Sequence, residues 1–160
     1  MKLLIFSDSH SDTSLIKKAI ENHPDITAIL HAGDYARDMN RFYGRGLEIY
    51  RVKGNCDRDD PFDEELLLEF EGVRLLLCHG HEYSVKYTND ELYARASQRG
   101  AACAVFGHTH QSLVTSKGGI LLFNPGTANG KKRSNGASYG ILEIKGGEVV
   151  SAKIRGENEN

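Results

Sequence analysis

Short apolar runs, separated by polar or glycine-containing segments, recur along the whole chain, and most of them predict β-strands. Three pairs of runs are joined by Glu71-Gly72, Gly118-Gly119 or Gly146-Gly147, which is typical of hairpins. The predicted strands are Leu3–Phe6, Ile26–Leu30, Leu47–Val52, Leu66–Phe70, Val73–Cys78, Ala102–Phe106, Leu113–Thr115, Ile120–Phe123, Tyr139–Ile144 and Val149–Ile154.

Two segments instead have helical spacing. The first begins near Asp12 or Thr13, either of which could cap it, and Pro24 ends it. Its apolar residues fall on one face, at Leu15, Ile16, Ala19 and Ile20. The second segment is Asn89–Arg99, whereas Met39–Gly46 has no clear pattern. Strand–helix alternation followed by hairpins predicts a mixed α/β sandwich with central sheets and outer helices.

Composition narrows the class of protein. A chain of 160 residues suits one domain, which we predict to span 1–155 and to be followed by a frayed tail at 156–160. Its 20 basic and 22 acidic residues do not favour nucleic acid as a partner. Three cysteines without Cys-x-x-Cys spacing argue against a disulfide framework and favour the cytoplasm. No apolar run is long enough to predict a membrane span or a signal peptide.

Candidate metal ligands follow five of the predicted strands. In chain order, these polar segments are Ser7–His10, His31–Asp34, Lys53–Asn55, His79–His81 and Gly107–His110. Strands that run the same way in one sheet end at the same edge, where open α/β sheets bind ligands. The glycines within these segments allow sharp turns and a close approach to a site. We therefore expect the segments to meet at one rim.

The ligand types indicate which ions could bind. Asp8, Asp34 and Asn55 offer oxygen atoms, and four histidines offer nitrogen: His10, His79, His108 and His110. This mixture suits Mn, Ni, Fe, Zn or Co, with Mn as first choice, and is too rich in nitrogen for Ca or Mg alone. Seven ligands exceed the needs of one ion. One carboxylate that bridges two divalent metal ions roughly 3.5–4 Å apart accounts for the number.

In their order along the chain, these motifs resemble those of the calcineurin-like metallophosphoesterase superfamily. The matching residues are Asp8-Ser9-His10, Gly33-Asp34, Gly54-Asn55, His79 and Gly107-His108-Thr109-His110. Asn124-Pro125-Gly126-Thr127 resembles a further motif of the small bacterial phosphodiesterase branch. Each motif alone is weak, whereas five in this order are specific.

The resemblance implies both a fold and a role for each ligand. The implied fold is α/β, a four-layer αββα sandwich with two central mixed β-sheets. Asp34 would bridge the two ions. The first ion would be held by Asp8, His10 and His110, and the second by Asn55, His79 and His108. Proteins of this type often self-associate, so a homodimer is a possible state.

The expected reaction is hydrolysis of a small phosphate diester. A water that bridges two cations loses its proton readily, and the hydroxide attacks phosphorus while both ions neutralise developing charge. Cys56 follows Asn55 where many superfamily members carry His, and a thiol with an ordinary pKa of about 8.5 is a poor acid–base catalyst near neutrality. We therefore expect diesters or activated esters to be better substrates than monoesters. Asp34 and Asn55 would be catalytic, with His81 as a stand-in acid.

Three alternatives stay open. A phosphomonoesterase or a nuclease could use the same site, although the near-neutral charge argues against a broad nucleic-acid groove. A non-catalytic scaffold is the rival from another class, because a retromer subunit shares the implied fold.

His31 is expected to hydrogen-bond behind the site, and Arg133 either contacts a substrate phosphate or lies in a solvated loop.

Overall fold

The computed structural model describes residues 1–44, 46–132, 136–157 and 159, which form two five-stranded sheets with helices outside them. The predicted α/β class is confirmed. The strands are β1 (Lys2–Phe6), β2 (Ala28–His31), β3 (Glu48–Arg51), β4 (Glu65–Phe70), β5 (Val73–Cys78), β6 (Cys103–Val105), β7 (Ser112–Lys117), β8 (Ile120–Pro125), β9 (Ser138–Lys145) and β10 (Glu148–Gly156). The described residues also form two α-helices, α1 (Ser14–Asn22) and α2 (Asp90–Gln98), and three short 3₁₀ helices at Ala36–Phe42, His81–Tyr83 and Gly130–Lys132.

Both sheets are mixed, with antiparallel strands at one edge of the first sheet and at both edges of the second. The first sheet has the order β10-β9-β1-β2-β3, and the second has the order β4-β5-β6-β8-β7. In the first, β1, β2 and β3 are parallel, with Leu4 beside Ile29 and Ile29 beside Ile49. In the second, β5, β6 and β8 are parallel. Each parallel set therefore brings several strand ends to one edge.

Alternation along the strands divides the core into three apolar layers. Leu3 and Ile5 of β1 point between the sheets, where they share one cluster with Leu75 and Leu77 of β5. The outer face of the first sheet buries α1 and the 3₁₀ helix Ala36–Phe42. The outer face of the second sheet buries α2. These layers form the predicted four-layer sandwich, and burial of their apolar side chains is its main source of stability.

Differences from the predicted elements lie at element ends and in the three short 3₁₀ helices, which the sequence pattern does not predict. Part of Met39–Gly46 lies in the 3₁₀ helix, which ends at Phe42. At the start of α1, Thr13 occupies the cap position without a side-chain cap, while Asp12 Oδ1 accepts the Ser14 backbone N–H at 3.1 Å. Strand β10 reaches Gly156, the first residue of the predicted tail, and residues 158 and 160 lie outside the described ones. Neither α-helix, at nine residues each, could cross a bilayer.

Candidate metal centre

The five predicted ligand segments meet at one rim of the sandwich. The loops after β1 and β2 carry Asp8, His10 and Asp34, and the loop after β3 carries Asn55. His79 follows β5 directly, and the loop after β6 carries the last two histidines. Backbone hydrogen bonds hold the loops together, from Asp8 N–H to the Gly33 carbonyl and from Gly107 N–H to the His79 carbonyl. The first of these bonds joins two loops of the first sheet, and the second, next to His108, joins two loops of the second sheet. Hydrogen bonds therefore fix the loops of both sheets at the rim.

Four of the seven predicted ligands form one compact group. Each of them offers one ligand atom such that all four atoms lie within 4.8 Å of one another. The members of this group are Asp8, His10, Asp34 and His110. Two of them come from the loop after β1, one from the loop after β2 and one from the loop after β6. The group therefore depends on both sheets.

Asp8 divides its two carboxylate oxygens between the scaffold and the site. Its Oδ2 accepts hydrogen bonds from the Ser7 hydroxyl at 2.6 Å and from the His108 backbone N–H at 3.1 Å. Its Oδ1 is buried and, within the described ranges, has no hydrogen bond of good geometry, although His110 Nε2 lies 3.1 Å away. A buried carboxylate oxygen without a donor is costly unless a cation meets it. The geometry fits Oδ1 as a metal ligand.

Asp34 lies between two sets of ligands. Its Oδ1 accepts the Cys56 backbone N–H at 2.9 Å and is 3.4 Å from His79 Nε2. Its Oδ2 is 3.7 Å from His10 Nε2 on the other side. One carboxylate thus presents an oxygen to each set of nitrogen ligands.

His79 has the orientation of a metal-binding imidazole. Its Nδ1 is 2.6 Å from the Ala32 carbonyl oxygen, which can only accept, so Nδ1 carries the proton. This leaves Nε2 facing Asn55 Oδ1 at 3.2 Å. A hydrogen bond from one ring nitrogen to a carbonyl is the usual way in which a ligating histidine is held. His108 packs against this ring with a centroid distance of 5.1 Å.

Five of the predicted ligands have a left-handed backbone, which is unfavourable for residues other than glycine. Their φ angles are 55° at Asp8, 43° at His10, 62° at Asp34, 65° at His108 and 57° at His110. Each such residue costs of order 1–3 kcal/mol, and such strain clusters at functional sites because the surrounding structure maintains it. The clustering is independent support for a site at this rim.

Protonation of the isolated protein site follows from burial and mutual charge. Burial raises the pKa of Asp34, but the hydrogen bond and charge of His79 outweigh it and hold the pKa below its usual range. Burial likewise opposes ionisation of Asp8, yet His110 and His79 lower its pKa. Burial, with the positive charges of His79 and Lys86, lowers the pKa of His108 to about 4. The carboxylates are therefore charged and His108 is neutral near pH 7. Burial opposes the charge of His79, but Asp34 and Asp8 raise its pKa, so a metal ion that binds at its Nε2 would have to displace a proton.

A buried carboxylate that the sequence did not single out positions two of the loops. Asp57 Oδ1 accepts the Tyr35 backbone N–H, and its Oδ2 accepts the Gly54 backbone N–H, both at 2.8 Å. These donors flank Asp34 and Asn55 in the chain. Asp57 therefore ties the loop after β2 to the loop after β3.

His31 lies behind the site, as expected, at the centre of a second buried network. Its Nδ1 accepts the Gly33 backbone N–H at 3.2 Å, so Nε2 donates to the Ser9 hydroxyl at 3.1 Å. Ser9 in turn donates to Asp38 Oδ2 at 2.8 Å, and the Ser11 backbone N–H donates to the same oxygen. Burial lowers the pKa of His31 to about 4, so the ring stays neutral. This network fixes the turn that carries His10.

The Asn124-Pro125-Gly126-Thr127 motif braces the rim. The Asn124 amide donates to the Gly107 carbonyl at 2.9 Å and to Thr109 Oγ1 at 3.1 Å. The Thr127 hydroxyl donates to the Asp8 carbonyl at 2.9 Å, and the Asn129 amide reaches the His10 carbonyl at 3.3 Å. These contacts stabilise the turns that carry the predicted ligands, which explains why so polar a segment is buried.

The remaining predicted site residues lie at different distances from the centre. The His81 ring is 5.5 Å from the His79 ring and 6.1 Å from the His108 ring. Cys56 is an exposed residue next to Asn55, but the partial burial of its thiol, together with the Asp34 charge, raises the pKa of that thiol to about 11. Arg133, predicted to contact substrate, lies outside the described residues.

Comparisons with known proteins agree with this geometry. Residues 1–147 match the calcineurin-like phosphoesterase superfamily domain. The chain is 33% identical over 147 residues to the probable metallophosphoesterase YsnB of Bacillus subtilis, covering 91% of this chain and 85% of that protein. It is 28% identical over 171 positions to phosphodiesterase YfcE of Escherichia coli, covering 89% and 88%. Zinc-complexed Vps29 of Entamoeba histolytica shares the fold, with a TM-score of 0.80, 22% identity and 97% coverage of both chains.

Proposed function

The chain belongs to the calcineurin-like phosphoesterase superfamily, and we propose that it is a phosphodiesterase whose seven rim residues hold two divalent ions. The observation that carries the proposal is the position of Asp34, whose oxygens face His10 on one side and His79 on the other. A carboxylate placed in this way suits a bridge between two cations. In the proposal, Mn is the first choice of metal, and Ni, Fe, Zn and Co are alternatives.

The residues divide into two sets around Asp34. Asp8, His10 and His110 belong with its Oδ2 side, and together with Asp34 they make up the compact group. Asn55, His79 and His108 belong with its Oδ1 side, which is more open because Asn55 is exposed. Bound divalent ions would lower the pKa of a water and neutralise the charge that develops on phosphate oxygens.

The protein residues supply the preorganisation for this reaction. In Asp8 and in His79, one polar atom hydrogen-bonds to the surrounding loops, namely Asp8 Oδ2 and His79 Nδ1. The other polar atom of each side chain faces the site, so neither side chain has to reorient when substrate binds. His81 packs beside both histidines of the open side, and in the proposal it would protonate the departing oxygen. Cys56 stands next to Asn55 without an imidazole, and this composition favours diesters and good leaving groups over monoesters.

The test compares two chromogenic substrates on one protein preparation. Protein stripped with chelator would receive Mn, Ni, Zn or Mg separately, and hydrolysis of bis(p-nitrophenyl) phosphate and p-nitrophenyl phosphate would be measured. We expect metal-restored turnover that is faster for the diester and is lost in Asp34→Asn and His108→Ala. His23→Gln is the matched control, since His23 hydrogen-bonds to Tyr139 beneath α1.

Other outcomes would lead to different conclusions. Faster turnover of the monoester would retain the metal site and overturn the role given to Cys56. No turnover with any metal, in protein shown to be folded, would favour the non-catalytic scaffold.

The homodimer is a separate prediction, which sedimentation of the purified protein tests directly.

A further inference from the structure

A cavity of about 430 Å³ opens beside the metal centre, and the residues assigned above leave it unused. Thr109, which separates His108 from His110 in the chain, lies on its wall. Asn124 also lines the cavity and hydrogen-bonds to Thr109 Oγ1. The cavity and the metal centre therefore share one wall.

The walls of the cavity combine an apolar side with unpaired amides. Val85, Phe106 and Leu113 supply the apolar side and pack into the cluster around α2. Asn89 and Gln111 line the cavity as well, and across the described ranges neither side-chain amide has a hydrogen-bond partner. Each such amide offers two donors and one acceptor. The cavity thus presents both apolar surface and unused hydrogen-bonding capacity.

Lys86 places a positive charge at the same opening. It lines the cavity, is exposed, and makes no ion pair with any residue that the structure describes. Lys86 lines the same cavity as Thr109, which lies between His108 and His110 in the chain. The Lys86 ammonium is suited to bind the phosphate group of a ligand, and the amides are suited to hydrogen-bond to polar atoms of its organic group.

Building on the phosphodiesterase function, we propose that this cavity is the subsite for the organic group that remains on the phosphate, and that it takes a heteroaromatic group of nucleoside size. The volume falls within the roughly 300–1,000 Å³ of small-molecule sites. A planar ring would cover Val85 and Leu113, while its polar edge would pair with Asn89 and Gln111. A simple alkyl group would bury these amides unpaired, which is unfavourable.

The experiment compares two diesters that share a leaving group and differ in the group retained. Thymidine 5′-(p-nitrophenyl) phosphate carries a nucleoside, and methyl p-nitrophenyl phosphate carries a methyl group. In metal-loaded wild type we expect kcat/KM to be at least about tenfold higher for the nucleoside ester, equivalent to about 1.4 kcal/mol. Ser112→Trp, which puts an indole into the cavity from an exposed edge-strand position, should bring this ratio close to one.

Two further variants distinguish recognition of the nucleoside from a general effect of substitution on activity. Asn89→Ala should lower the ratio by removing one amide, chiefly through KM of the nucleoside ester. Ser116→Trp adds the same indole to the same strand, away from this cavity, and should leave the ratio unchanged. A wild-type ratio near one, or a ratio that Ser112→Trp and Asn89→Ala do not change, would overturn the subsite while leaving the phosphodiesterase in place. Failure of metal-loaded wild type to hydrolyse either ester would reject the function and the subsite together.

Discussion

Gly54 lies against the carboxylate of Asp34 so closely that a β-carbon at position 54 would overlap the Asp34 Oδ1 atom and lie 2.9 Å from its carboxyl carbon. The backbone nitrogen of Asp34 is also close, at 2.5 Å from the same point. The loops after β2 and β3 therefore meet with no room for a side chain. This contact sets the position of the carboxylate that lies between the two ligand sets.

We predict that Gly54→Ala displaces Asp34 and lowers kcat by about a hundredfold, because a shift of about 1 Å in a positioned group has such an effect. Diester hydrolysis with saturating metal measures it, and thermal unfolding shows whether the fold survives. Gly156→Ala is the control, since a β-carbon there meets nothing nearer than 4.0 Å. Unchanged activity in Gly54→Ala would mean that the position of Asp34 is not critical.

Removal of the central carboxylate charge should lower metal content. We expect wild type to retain about two divalent ions per chain after loading and desalting, and Asp34→Asn to retain fewer, since both ligand sets lose a shared anion. Elemental analysis by plasma mass spectrometry gives the stoichiometry. Asp25→Asn, a change at an exposed residue paired with Lys2, should retain the wild-type content. Equal content in Asp34→Asn and wild type would contradict a bridging role.

Asp57 is predicted to contribute stability as well as position. In Asp57→Ala the backbone N–H groups of Tyr35 and Gly54 lose their acceptor, and an unsatisfied buried donor costs about 1–3 kcal/mol. Urea unfolding should show a decrease of this size in the free energy of unfolding, and activity should fall too. Asp59→Ala alters an exposed carboxylate two residues away and should differ little from wild type. Equal stability of the two variants would show that water replaces the Asp57 acceptor.

The pH dependence of stability should depend on Glu65. Its carboxylate accepts two hydrogen bonds from Arg95, at 3.1 and 2.5 Å, and one from the Tyr83 hydroxyl at 2.6 Å. The Arg95 bonds lower the pKa of Glu65 below its ordinary value of 4.5. A lowered folded-state pKa means that the stabilisation is complete above pH 4.5 and is lost as the pH falls through the folded-state pKa.

Glu65→Gln should therefore be less stable than wild type at pH 7, with a difference that shrinks as the pH is lowered below 4.5. Urea unfolding at a series of pH values measures this difference. Glu69→Gln is the control on the same strand, because the Glu69 ion pair with Arg74 is exposed and is worth little. A constant difference between Glu65→Gln and wild type across this range would show that the effect is not one of ionisation.

The interpretation of the strands and of the rim followed directly from local pattern. Runs such as Val73–Cys78 begin and end as predicted, because Glu71 and Gly72 both adopt the positive φ angles that a tight hairpin needs. The element ends elsewhere shifted by one or two residues, as with β2, where tertiary contacts decide the boundary. The 3₁₀ helix Ala36–Phe42 was missed because it has no helical apolar stripe and is held by burial of Met39 and Phe42.

Sequence by itself determined which residues reach the rim, because a polar segment that follows a parallel strand must emerge at that strand's end. Tertiary structure alone decided what each atom does there. Which oxygen of Asp8 faces the site depends on Ser7 beside it and on His108, which is 100 residues away. The anchoring by Asp57 and the left-handed turn at Asp34 arise for the same reason. They depend on loops that are distant in the chain and become neighbours only when two sheets pack, so no local pattern records them.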